Sequence, residues 1–228
     1  MSRGTNESSD NNYKQELITL RCPISAMGEA YRTLRANLGF SGMKQPFRSI
    51  MVTSTSEGDG KSTVVSNLAV VMAQAAYKVI LVDCNLRKPS QHKIFNLNNH
   101  RGFIDCILQR LEADYVANKV MDNLTVLTSG LIPPNPAEML NSQRTRDFWN
   151  ILLEKYDYVL IDSSPMMVVA DATVLSNQVD GVILVVNSGT SIDLGLQAKE
   201  QLTRANARII GVVLNQVKMN SDHYYDYY

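Results

Sequence analysis

The sequence predicts an α/β fold built on a doubly wound, mainly parallel sheet in a single domain. Short, continuously apolar runs alternate with segments of helical periodicity, which is the pattern of parallel strands joined by crossover helices. The stretch from Ser49 to Thr63 passes from an apolar strand through a glycine-bearing loop into a helix that begins near Lys61. Two later apolar runs each end in a carboxylate, at Asp83 and Asp162. Together these observations predict a phosphate-binding loop with two acidic residues beside it.

The composition restricts the class of protein. A chain of 228 residues, 45% of them apolar, is long enough for one sizeable domain with a substantial core. Because 22 basic residues balance 22 acidic ones, we expect no nucleic acid partner. The three cysteines and three histidines form no paired motif, which favours reduced thiols in the cytoplasm over disulfides or a metal cluster. No apolar run approaches the roughly 18 residues of a membrane span, so we expect membrane association only through a partner.

The chain divides into three predicted parts. Residues 1–15 are rich in Ser and Asn with little to bury, which predicts a disordered segment. Residues 16–217 form the predicted domain, and residues 218–228 form a tyrosine-rich tail that we expect to be flexible. The sequence contains no internal repeat and no sign of a second domain.

A helix is predicted from Ser25, because apolar residues recur at helical spacing up to Leu38. Glu29, Arg32 and Arg35 are three residues apart on this helix and share one face. Their pattern fits either a solvated face with a weak ion pair or a charged surface that docks on another subunit. The residues alone favour the solvated face.

The remaining elements follow from the same two patterns. Apolar runs predict strands at residues 50–52, 78–83, 124–127, 158–162, 181–186 and 209–214. Helical periodicity predicts helices at residues 61–76, 102–111, 137–140, 147–155, 172–177 and 194–205. The prolines within residues 129–136 predict a rigid loop. Apart from the helix at 102–111, residues 90–122 carry no pattern that predicts an element.

The phosphate-binding loop carries a variant of the Walker A pattern. The full pattern has glycine where this chain has Thr55, so the match rests on Gly60, Lys61 and Ser62 with a variant front half. Gly58 and Gly60 supply positions where the backbone can take a positive φ or approach a ligand closely. Backbone N–H groups and the helix N-terminus would surround the phosphates, Lys61 would reach the outer phosphates, and Ser62 would offer its hydroxyl to Mg²⁺.

Asp83 and Asp162 lie at the ends of predicted parallel strands, where open α/β sheets bind their ligands. Mg²⁺ prefers oxygen ligands and bridges phosphates in phosphoryl transfer. We therefore predict a metal site of Ser62, Asp83 and Asp162, with Ser62 as a direct ligand and Asp162 acting through water. For Asp83 two roles remain open, an outer metal ligand or the base that accepts a proton from the attacking group.

Several motifs together point to a family. They are the loop at residues 53–63, a second motif at residues 79–89, the segments 127–130 and 133–138, and a third motif at residues 159–162. With Glu29, Arg32 and Arg35 spaced as a subunit-contact motif, they resemble the bacterial tyrosine kinases of capsule and exopolysaccharide synthesis, particularly the cytoplasmic subunits of Gram-positive bacteria. The resemblance extends from about residue 25 to the C-terminus and reverses the preference for a merely solvated helix face.

The resemblance implies an ATP-dependent protein-tyrosine kinase that uses Mg²⁺. Lys61, Asp83 and Asp162 would be its catalytic residues, with Asp83 as the base toward a tyrosine hydroxyl. Asn215, after the last predicted strand, would contact the adenine edge. The implied ATP-binding residues are Gly58, Asp59, Gly60, Lys61, Ser62, Thr63 and Asn215.

The tail and the helix face complete what the resemblance implies. The implied acceptors of autophosphorylation in trans are Tyr224, Tyr225, Tyr227 and Tyr228. The implied contacts of a homo-oligomeric ring, in which one subunit presents its tail to the next, are Glu29, Arg32 and Arg35. The family also implies a cytoplasmic kinase that a transmembrane adaptor recruits to the membrane, that regulates polysaccharide assembly and that a cognate tyrosine phosphatase opposes.

The sequence departs from the family pattern at the second motif, which usually has two aspartates where this chain has Asp83 and Asn85. An amide adds no negative charge and cannot act as a base, so we expect lower Mg²⁺ affinity or turnover. Residues 163–165 read Ser-Ser-Pro where a threonine and two prolines are common, a milder change.

An inactive nucleotide-binding scaffold is therefore one alternative. A partitioning or cell-division ATPase of the MinD/ParA type is another, although Ser56 occupies the position of the extra lysine of those proteins.

Overall fold

The computed structural model describes residues 17–43 and 46–217 of the chain. The predicted N-terminal segment at 1–15 and the tail at 218–228, with its four tyrosines, lie outside these residues. Within the described residues no helix is long and apolar enough to cross a membrane. All three cysteines are free thiols, as the sequence predicts: Cys22 is exposed, and Cys84 and Cys106 are buried.

One sheet organises the described residues. Its strands are β1 (Ser49–Ser54), β2 (Val79–Asp83), β3 (Asn118–Met121), β4 (Leu124–Leu127), β5 (Tyr158–Asp162), β6 (Gly181–Asn187) and β7 (Ile209–Asn215). They lie in the order β3-β4-β2-β5-β1-β6-β7. All neighbours pair in parallel except β3 and β4, which are antiparallel. The predicted doubly wound, mainly parallel sheet is confirmed, and each of the predicted strands is present.

Helices cover both faces of the sheet. They are α1 (Ile18–Arg21), α2 (Ala26–Ser41), α3 (Lys61–Gln74), α4 (Gln91–Ile94), α5 (Phe103–Gln109), α6 (Ala113–Val116), α7 (Pro136–Leu140), α8 (Gln143–Lys155), α9 (Asp171–Ser176) and α10 (Ile192–Arg204). α8 begins one turn before the predicted 147–155, because the Ser142 hydroxyl caps it by accepting from Thr145 N at 3.3 Å. The elements that sequence reasoning missed, α1, α4, α6 and β3, have four residues each. Such elements are too short to produce a periodic pattern.

Two apolar cores lie on opposite faces of the sheet. On one face α3 packs between α2 and the strands, and Leu68, Ala69 and Val70 are fully buried. On the other face α5 and α8 meet, where the Trp149 ring stacks on Phe103 with centroids 5.4 Å apart. Because both faces are covered, the central strands are apolar on both sides, which explains their continuously apolar sequences.

The strand order places the candidate site at the carboxyl edge of the sheet. β5 lies between β2 and β1, and Asp83 is directly opposite Asp162 in the register. The loop that leaves β1 runs into α3 at the same edge. The strand tips that the sequence predicted to carry the chemistry are therefore neighbours.

Candidate active site

The loop at residues 55–60, between β1 and α3, has the backbone geometry of a phosphate-binding loop. Gly58 and Gly60 have φ of 84° and 88°, in the left-handed region where side chains are strained. Gly60 is the N-cap of α3, and a Cβ atom there would lie 2.1 Å from Nδ2 of Asn215. Conformation and space therefore both require glycine. The loop leads directly into the N-terminus of α3, where backbone N–H groups favour anions.

Asp59 braces this loop from inside. Its Oδ2 atom accepts hydrogen bonds from Thr55 Oγ1 at 2.5 Å and from Ser56 N at 2.7 Å, and the residue is buried. Thr55, which replaces the glycine of the full motif, is thus held in place by Asp59. The carboxylate of Asp59 is thus used within the loop, and the predicted role of Asp59 in ATP binding stays a prediction.

The structure brings Lys61, Ser62 and Asp162 together at the start of α3 and the tip of β5. Lys61 Nζ donates to Ser62 Oγ at 3.0 Å and lies 3.7 Å from Asp162 Oδ1. Asp162 is fully buried. Its Oδ1 atom has no hydrogen-bond partner among the described residues, so it can accept from a ligand or from water.

Asp83 lies beside Asp162 and is also fully buried. Its Oδ2 atom accepts from the backbone N–H groups of Ser90 and Gln91, each at 2.9 Å, and its Oδ1 atom accepts from Asn85 N at 3.2 Å. Burial, with a further contribution from the charge of Asp162, raises the pKa of Asp83 to about 7. The carboxylate is enclosed by the loop that follows β2.

Gln91, the first residue of α4, is a site residue that sequence reasoning missed. Its side-chain Nε2 atom donates to Asp162 Oδ2 at 2.8 Å, and its backbone N–H donates to Asp83. Glutamine carries no charge and no nucleophile, so its residue type does not indicate a functional site. It also lies within residues 90–122, where the sequence predicts only one helix. Its place in the loop that leaves a strand tip is the one signal that could have found it.

A cleft of 410 Å³ opens at this edge, between the phosphate loop and the loops that follow β2 and β5. Lys61, Ser62 and Thr63 from α3 line it, and so does Asn85 from the loop after β2. Asp83 and Asp162 do not border the cleft. The walls therefore carry basic side chains, hydroxyls, an amide and the carboxylate of Glu57, and two further carboxylates are buried at the same edge of the sheet.

Several oxygen atoms that could bind a cation lie on the wall of this cleft or close behind it. Ser62 contributes a hydroxyl on the wall, and the Oδ1 atom of Asp162, 3.7 Å from Lys61 Nζ, accepts no hydrogen bond from the described residues. The hydroxyls of Ser90 and Ser164 also lie at the cleft, and neither has a hydrogen-bond partner in the described part of the chain. Because Mg²⁺ takes oxygen ligands and keeps several waters, this donor set fits a magnesium ion held by one or two protein oxygens.

Two ion pairs connect the loop after β2 to both sides of the cleft. Arg87 binds Asp171, at the start of α9, through contacts of 2.8 and 3.2 Å, and Asp171 is fully buried. Lys88 Nζ lies 2.8 Å from the carboxylate of Glu57 in the phosphate loop, and this hydrogen bond lowers the pKa of Glu57. Since exposed pairs contribute little, the Arg87–Asp171 pair is the firmer connection. Neither pairing is predicted by a local pattern in the sequence.

Asn215, which the resemblance assigns to adenine, lies at the end of β7 next to the phosphate loop. Its Nδ2 atom donates to the carbonyl of Asp59 at 2.8 Å, and the neighbouring Gln216 donates to the carbonyl of Gly58 at 2.9 Å. Gln216 lines the cleft, whereas Asn215 does not. Asn215 thus supports the loop in this structure, and its contact with adenine stays a prediction.

The three charged residues of α2 do not share one environment. Glu29 and Arg32 form an ion pair of 2.8 Å on the surface. Arg35 instead faces α3, where its Nη1 atom donates to the carbonyl of Val71 at 2.7 Å. Arg32 also donates to the carbonyl of Pro23, so both arginines bond within the chain, but the contacts of Arg32 lie at the surface, where Glu29 and Arg32 are accessible to another subunit. The predicted ring contact stays a prediction.

Comparison with known proteins gives matches over most of the chain. Residues 50–228 match the CobQ/CobB/MinD/ParA nucleotide binding domain. The tyrosine-protein kinase YwqD of Bacillus subtilis (strain 168) is 38% identical over 217 residues, which cover 94% of this chain and 92% of that protein. CapB of Staphylococcus aureus is 36% identical over 209 residues, with coverage of 90% and 92%. The crystal structure of the chimerical protein CapA2B2 has a TM-score of 0.86 at 38% identity and covers 90% of this chain and 91% of that chain.

Fold and site together define a P-loop nucleotide-binding protein of the CobQ/CobB/MinD/ParA class. The near full-length matches to kinases narrow this class further. The chain belongs to the bacterial tyrosine-protein kinase family, and the resemblance drawn from its motifs is confirmed. A kinase of this family with a nucleotide-binding P-loop uses ATP.

Proposed function

We propose that this chain is an ATP-dependent tyrosine autokinase that phosphorylates its C-terminal tyrosines in trans and thereby regulates capsule or exopolysaccharide assembly. The observation that carries the proposal is the position of Lys61 Nζ, 3.0 Å from Ser62 Oγ and 3.7 Å from Asp162 Oδ1, at a cleft of 410 Å³. Phosphoryl transfer needs such a cation, hydroxyl and carboxylate around the triphosphate. The proposed acceptors are Tyr224, Tyr225, Tyr227 and Tyr228.

In the proposed reaction the tyrosine oxygen bonds to the γ-phosphorus of ATP. The bond from that phosphorus to the bridging β,γ-oxygen breaks, and ADP leaves. Backbone N–H groups of the loop and the ammonium of Lys61 offset the charge of the β- and γ-phosphates. Ser62 would hold Mg²⁺, which neutralises phosphate charge when bound, and Asp162, which does not border the cleft, would support the ion through water. The proton of the tyrosine hydroxyl passes to a base.

Asp83 is the proposed base, with one geometric condition. A pKa of about 7 suits a group that accepts a proton near neutral pH. Both oxygens of Asp83 accept backbone hydrogen bonds, however, and the carboxylate does not border the cleft. To reach a tyrosine hydroxyl, its Oδ2 atom must be released by the N–H groups of Ser90 and Gln91. The loop after β2 would therefore move during the reaction.

A catalytically weakened scaffold is the second candidate, and Asn85 is the observation that favours it. Asn85 lines the cleft where the family pattern has a carboxylate, and its Nδ2 atom donates to the carbonyl of Lys88 at 2.8 Å. An ionised aspartate could not donate this bond, so Asn85 supports the loop but brings no negative charge. The partitioning-ATPase alternative gains no support from the site, since Ser56 stands at the position of the extra lysine and its N–H is bonded to Asp59.

We also propose that α2 contributes to a homo-oligomeric ring. Beside the exposed pair of Glu29 and Arg32, a groove of 300 Å³ between α2 and β7 is lined by Met27, Val212 and Leu214, whose side chains are exposed. Apolar residues next to an exposed charged pair are typical of a subunit interface. β7 is also an edge strand, which a second copy could cover.

The proposed partners beyond the ring are a transmembrane adaptor, which would recruit the kinase from the cytoplasm to the membrane, and a cognate tyrosine phosphatase. This chain matches 28% of the length of the tyrosine-protein kinase Etk of Escherichia coli (strain K12), so the matching region there belongs to a longer protein. A separate adaptor could supply here what the rest of such a chain supplies. The balanced charge of the sequence supports no nucleic acid partner.

Phosphotyrosine mass spectrometry of the full chain tests the proposal. The chain is incubated with ATP and Mg²⁺, with and without the cytoplasmic segment of the adaptor. Lys61→Met should reduce tail phosphorylation by about 100-fold or more, because a preorganised cation at the transferring group is lost. The matched control is Lys119→Met, since Lys119 is an exposed lysine on β3 paired with Asp122, and it should leave the signal unchanged.

Each outcome decides a different part of the proposal. An unphosphorylated wild-type tail under both conditions, with normal ATP binding, would contradict the kinase and favour the scaffold. A Lys61→Met chain that still phosphorylates its tail would contradict the assigned site. Full-rate phosphorylation without the adaptor would contradict only the need for an adaptor.

A further inference from the structure

Gln91 is buried where three parts of the site meet. It is the first residue of α4, is fully buried and does not line the cleft. A glutamine removed from water must find partners for its amide N–H and C=O groups, or its burial is costly. Those partners indicate what the residue does.

The side-chain amide of Gln91 joins α3 to β5. Its Nε2 atom donates to Asp162 Oδ2 at 2.8 Å and also lies 3.4 Å from the carbonyl oxygen of Ser62. Its Oε1 atom lies 2.7 Å from the hydroxyl of Ser66 on α3. A reversed amide would place Oε1 against an oxygen of Asp162, so the hydrogen-bond network itself selects this orientation.

The main chain of Gln91 reaches the other buried carboxylate. Its backbone N–H donates to Asp83 Oδ2 at 2.9 Å. One residue therefore donates to both acids, with its side chain to Asp162 and its backbone to Asp83. Because two buried like charges repel each other, these donors stabilise an arrangement that the carboxylates alone would not keep.

We propose that Gln91 is a positioning residue of the kinase. By holding Oδ2 of Asp162, it keeps Oδ1 beside Lys61 and available to the water shell of Mg²⁺. The proposal rests on the proposed function, and its geometric basis is the contrast between the two oxygens of Asp162. The Oδ2 atom accepts a hydrogen bond of 2.8 Å from Gln91, and the Oδ1 atom has no hydrogen-bond partner among the described residues. Without the Nε2 donor, Asp162 could rotate, pair fully with Lys61 and withdraw both groups from the phosphates.

A purely structural glutamine would behave differently. Its loss would lower the free energy of unfolding and leave the dependence on Mg²⁺ unchanged. Groups that orient a metal ligand instead change metal affinity or activity, commonly by about 10–100-fold. Measuring the Mg²⁺ dependence of nucleotide binding, without turnover, therefore separates the two roles.

The experiment compares the full wild-type chain with Gln91→Met, which keeps the size and flexibility of the side chain but lacks the amide. A fluorescent ADP analogue is titrated in EDTA and at increasing Mg²⁺, and the rate of tail phosphorylation is measured alongside. We expect the half-saturating Mg²⁺ concentration for binding to rise about 10-fold, with binding in EDTA unchanged. Gln178→Met is the matched control, because Gln178 donates to the carbonyls of Leu140 and Val174 rather than to a carboxylate. It should leave the Mg²⁺ dependence unchanged.

A second variant, Gln91→Asn, tests the same role in case Gln91→Met does not fold. Gln91→Asn keeps an amide that is too short to reach Asp162, and it should change the Mg²⁺ dependence in the same direction as Gln91→Met. Thermal unfolding shows which variants are folded. An unchanged Mg²⁺ dependence in a folded Gln91 variant would overturn the proposal. An inactive wild-type chain would contradict the proposed function, while the binding titrations would still decide the role of Gln91.

Discussion

At the residue scale, the buried carboxylate of Asp83 governs how the site responds to pH. Burial, with the nearby charge of Asp162, raises its pKa to about 7, although backbone N–H groups of Gln91 and Ser90 oppose the shift. An aspartate in the unfolded chain has a pKa of about 3.9. Between about pH 4 and pH 7 the folded chain therefore holds a proton that the unfolded chain has released. The contribution of Asp83 to stability thus falls as the pH rises through this range.

Asp83→Asn should flatten this pH dependence in the nucleotide-free chain. The amide does not titrate, so the proton that the folded wild-type chain holds between about pH 4 and pH 7 no longer contributes. Urea unfolding in EDTA at pH 5 and pH 8 measures the effect. Asp122→Asn, at an exposed carboxylate, should leave the wild-type dependence intact. If Asp83→Asn also keeps the wild-type pH dependence of the free energy of unfolding, the pKa of Asp83 is not raised.

Asn85 allows the missing charge at the cleft to be tested directly. Asn85→Asp restores the carboxylate of the family pattern but loses the donation from Nδ2 to the carbonyl of Lys88. We expect tail phosphorylation to need several-fold less Mg²⁺, because an anionic oxygen binds a hard cation more strongly. The free energy of unfolding should fall by about 1 kcal/mol, the usual contribution of one hydrogen bond. Kinetics at limiting Mg²⁺ and urea unfolding measure the two effects.

Asn85→Ser serves as the control for that substitution, since it loses the bond to Lys88 without adding charge. It should be destabilised to a similar extent and show no improved response to Mg²⁺. If Asn85→Asp is no faster than the wild-type chain at limiting Mg²⁺, the amide at this position does not limit the reaction.

At the element scale, α3 links the active site to the rest of the fold. Its first residue is Lys61, and most of its later residues are buried between α2 and the sheet. The carbonyl groups of its last turn lack helical N–H partners. Arg35 on α2 donates to one of them, that of Val71, at 2.7 Å. Arg35 therefore fastens α2 onto α3.

Arg35→Ala should destabilise the isolated chain by about 1–2 kcal/mol, because it leaves a largely buried carbonyl without its donor. Arg32→Ala should cost about 1 kcal/mol or less, since its ion pair with Glu29 and its hydrogen bond to the carbonyl of Pro23 both lie at the exposed surface. The free energies of unfolding of the two variants are compared by urea unfolding, at a protein concentration low enough for the chain to be monomeric. Equal destabilisation would contradict the fastening role of Arg35. Arg32→Ala is accordingly the better probe of ring assembly, because Arg35→Ala also weakens the subunit itself.

At the scale of the whole molecule, the order of the strands decides where the chemistry occurs. The position of β5 between β2 and β1 brings two carboxylates and the phosphate loop to one edge of the sheet. Apolar cores with helices cover both faces of the sheet, so the carboxyl edge is the place where a ligand can reach the strand tips. A single fold thus both excludes water from the acids and opens a cleft beside them.

Much of this architecture could be predicted from local patterns in the chain. The alternation of apolar runs with helical periodicity gave the main strands and helices, and the loop from Thr55 to Gly60 was recognisable because its chemistry is built from consecutive residues. Lys61 and Ser62 followed from that loop. The four-residue elements α1, α4, α6 and β3 were missed, because a periodic pattern needs more residues than they contain.

The environment of each functional group depended instead on contacts between distant parts of the chain. Gln91 and Asp162 are 71 residues apart, and Arg87 and Asp171 are 84 residues apart. The pattern on α2 predicted a shared charged face, yet the packing of α2 on α3 decided that Arg35 bonds within the chain. Burial and hydrogen bonding depend on distances that arise only when the sheet is assembled. A phosphate-binding loop can therefore be recognised in the sequence, whereas the residues that orient the two buried aspartates beside it can be identified only in the folded structure.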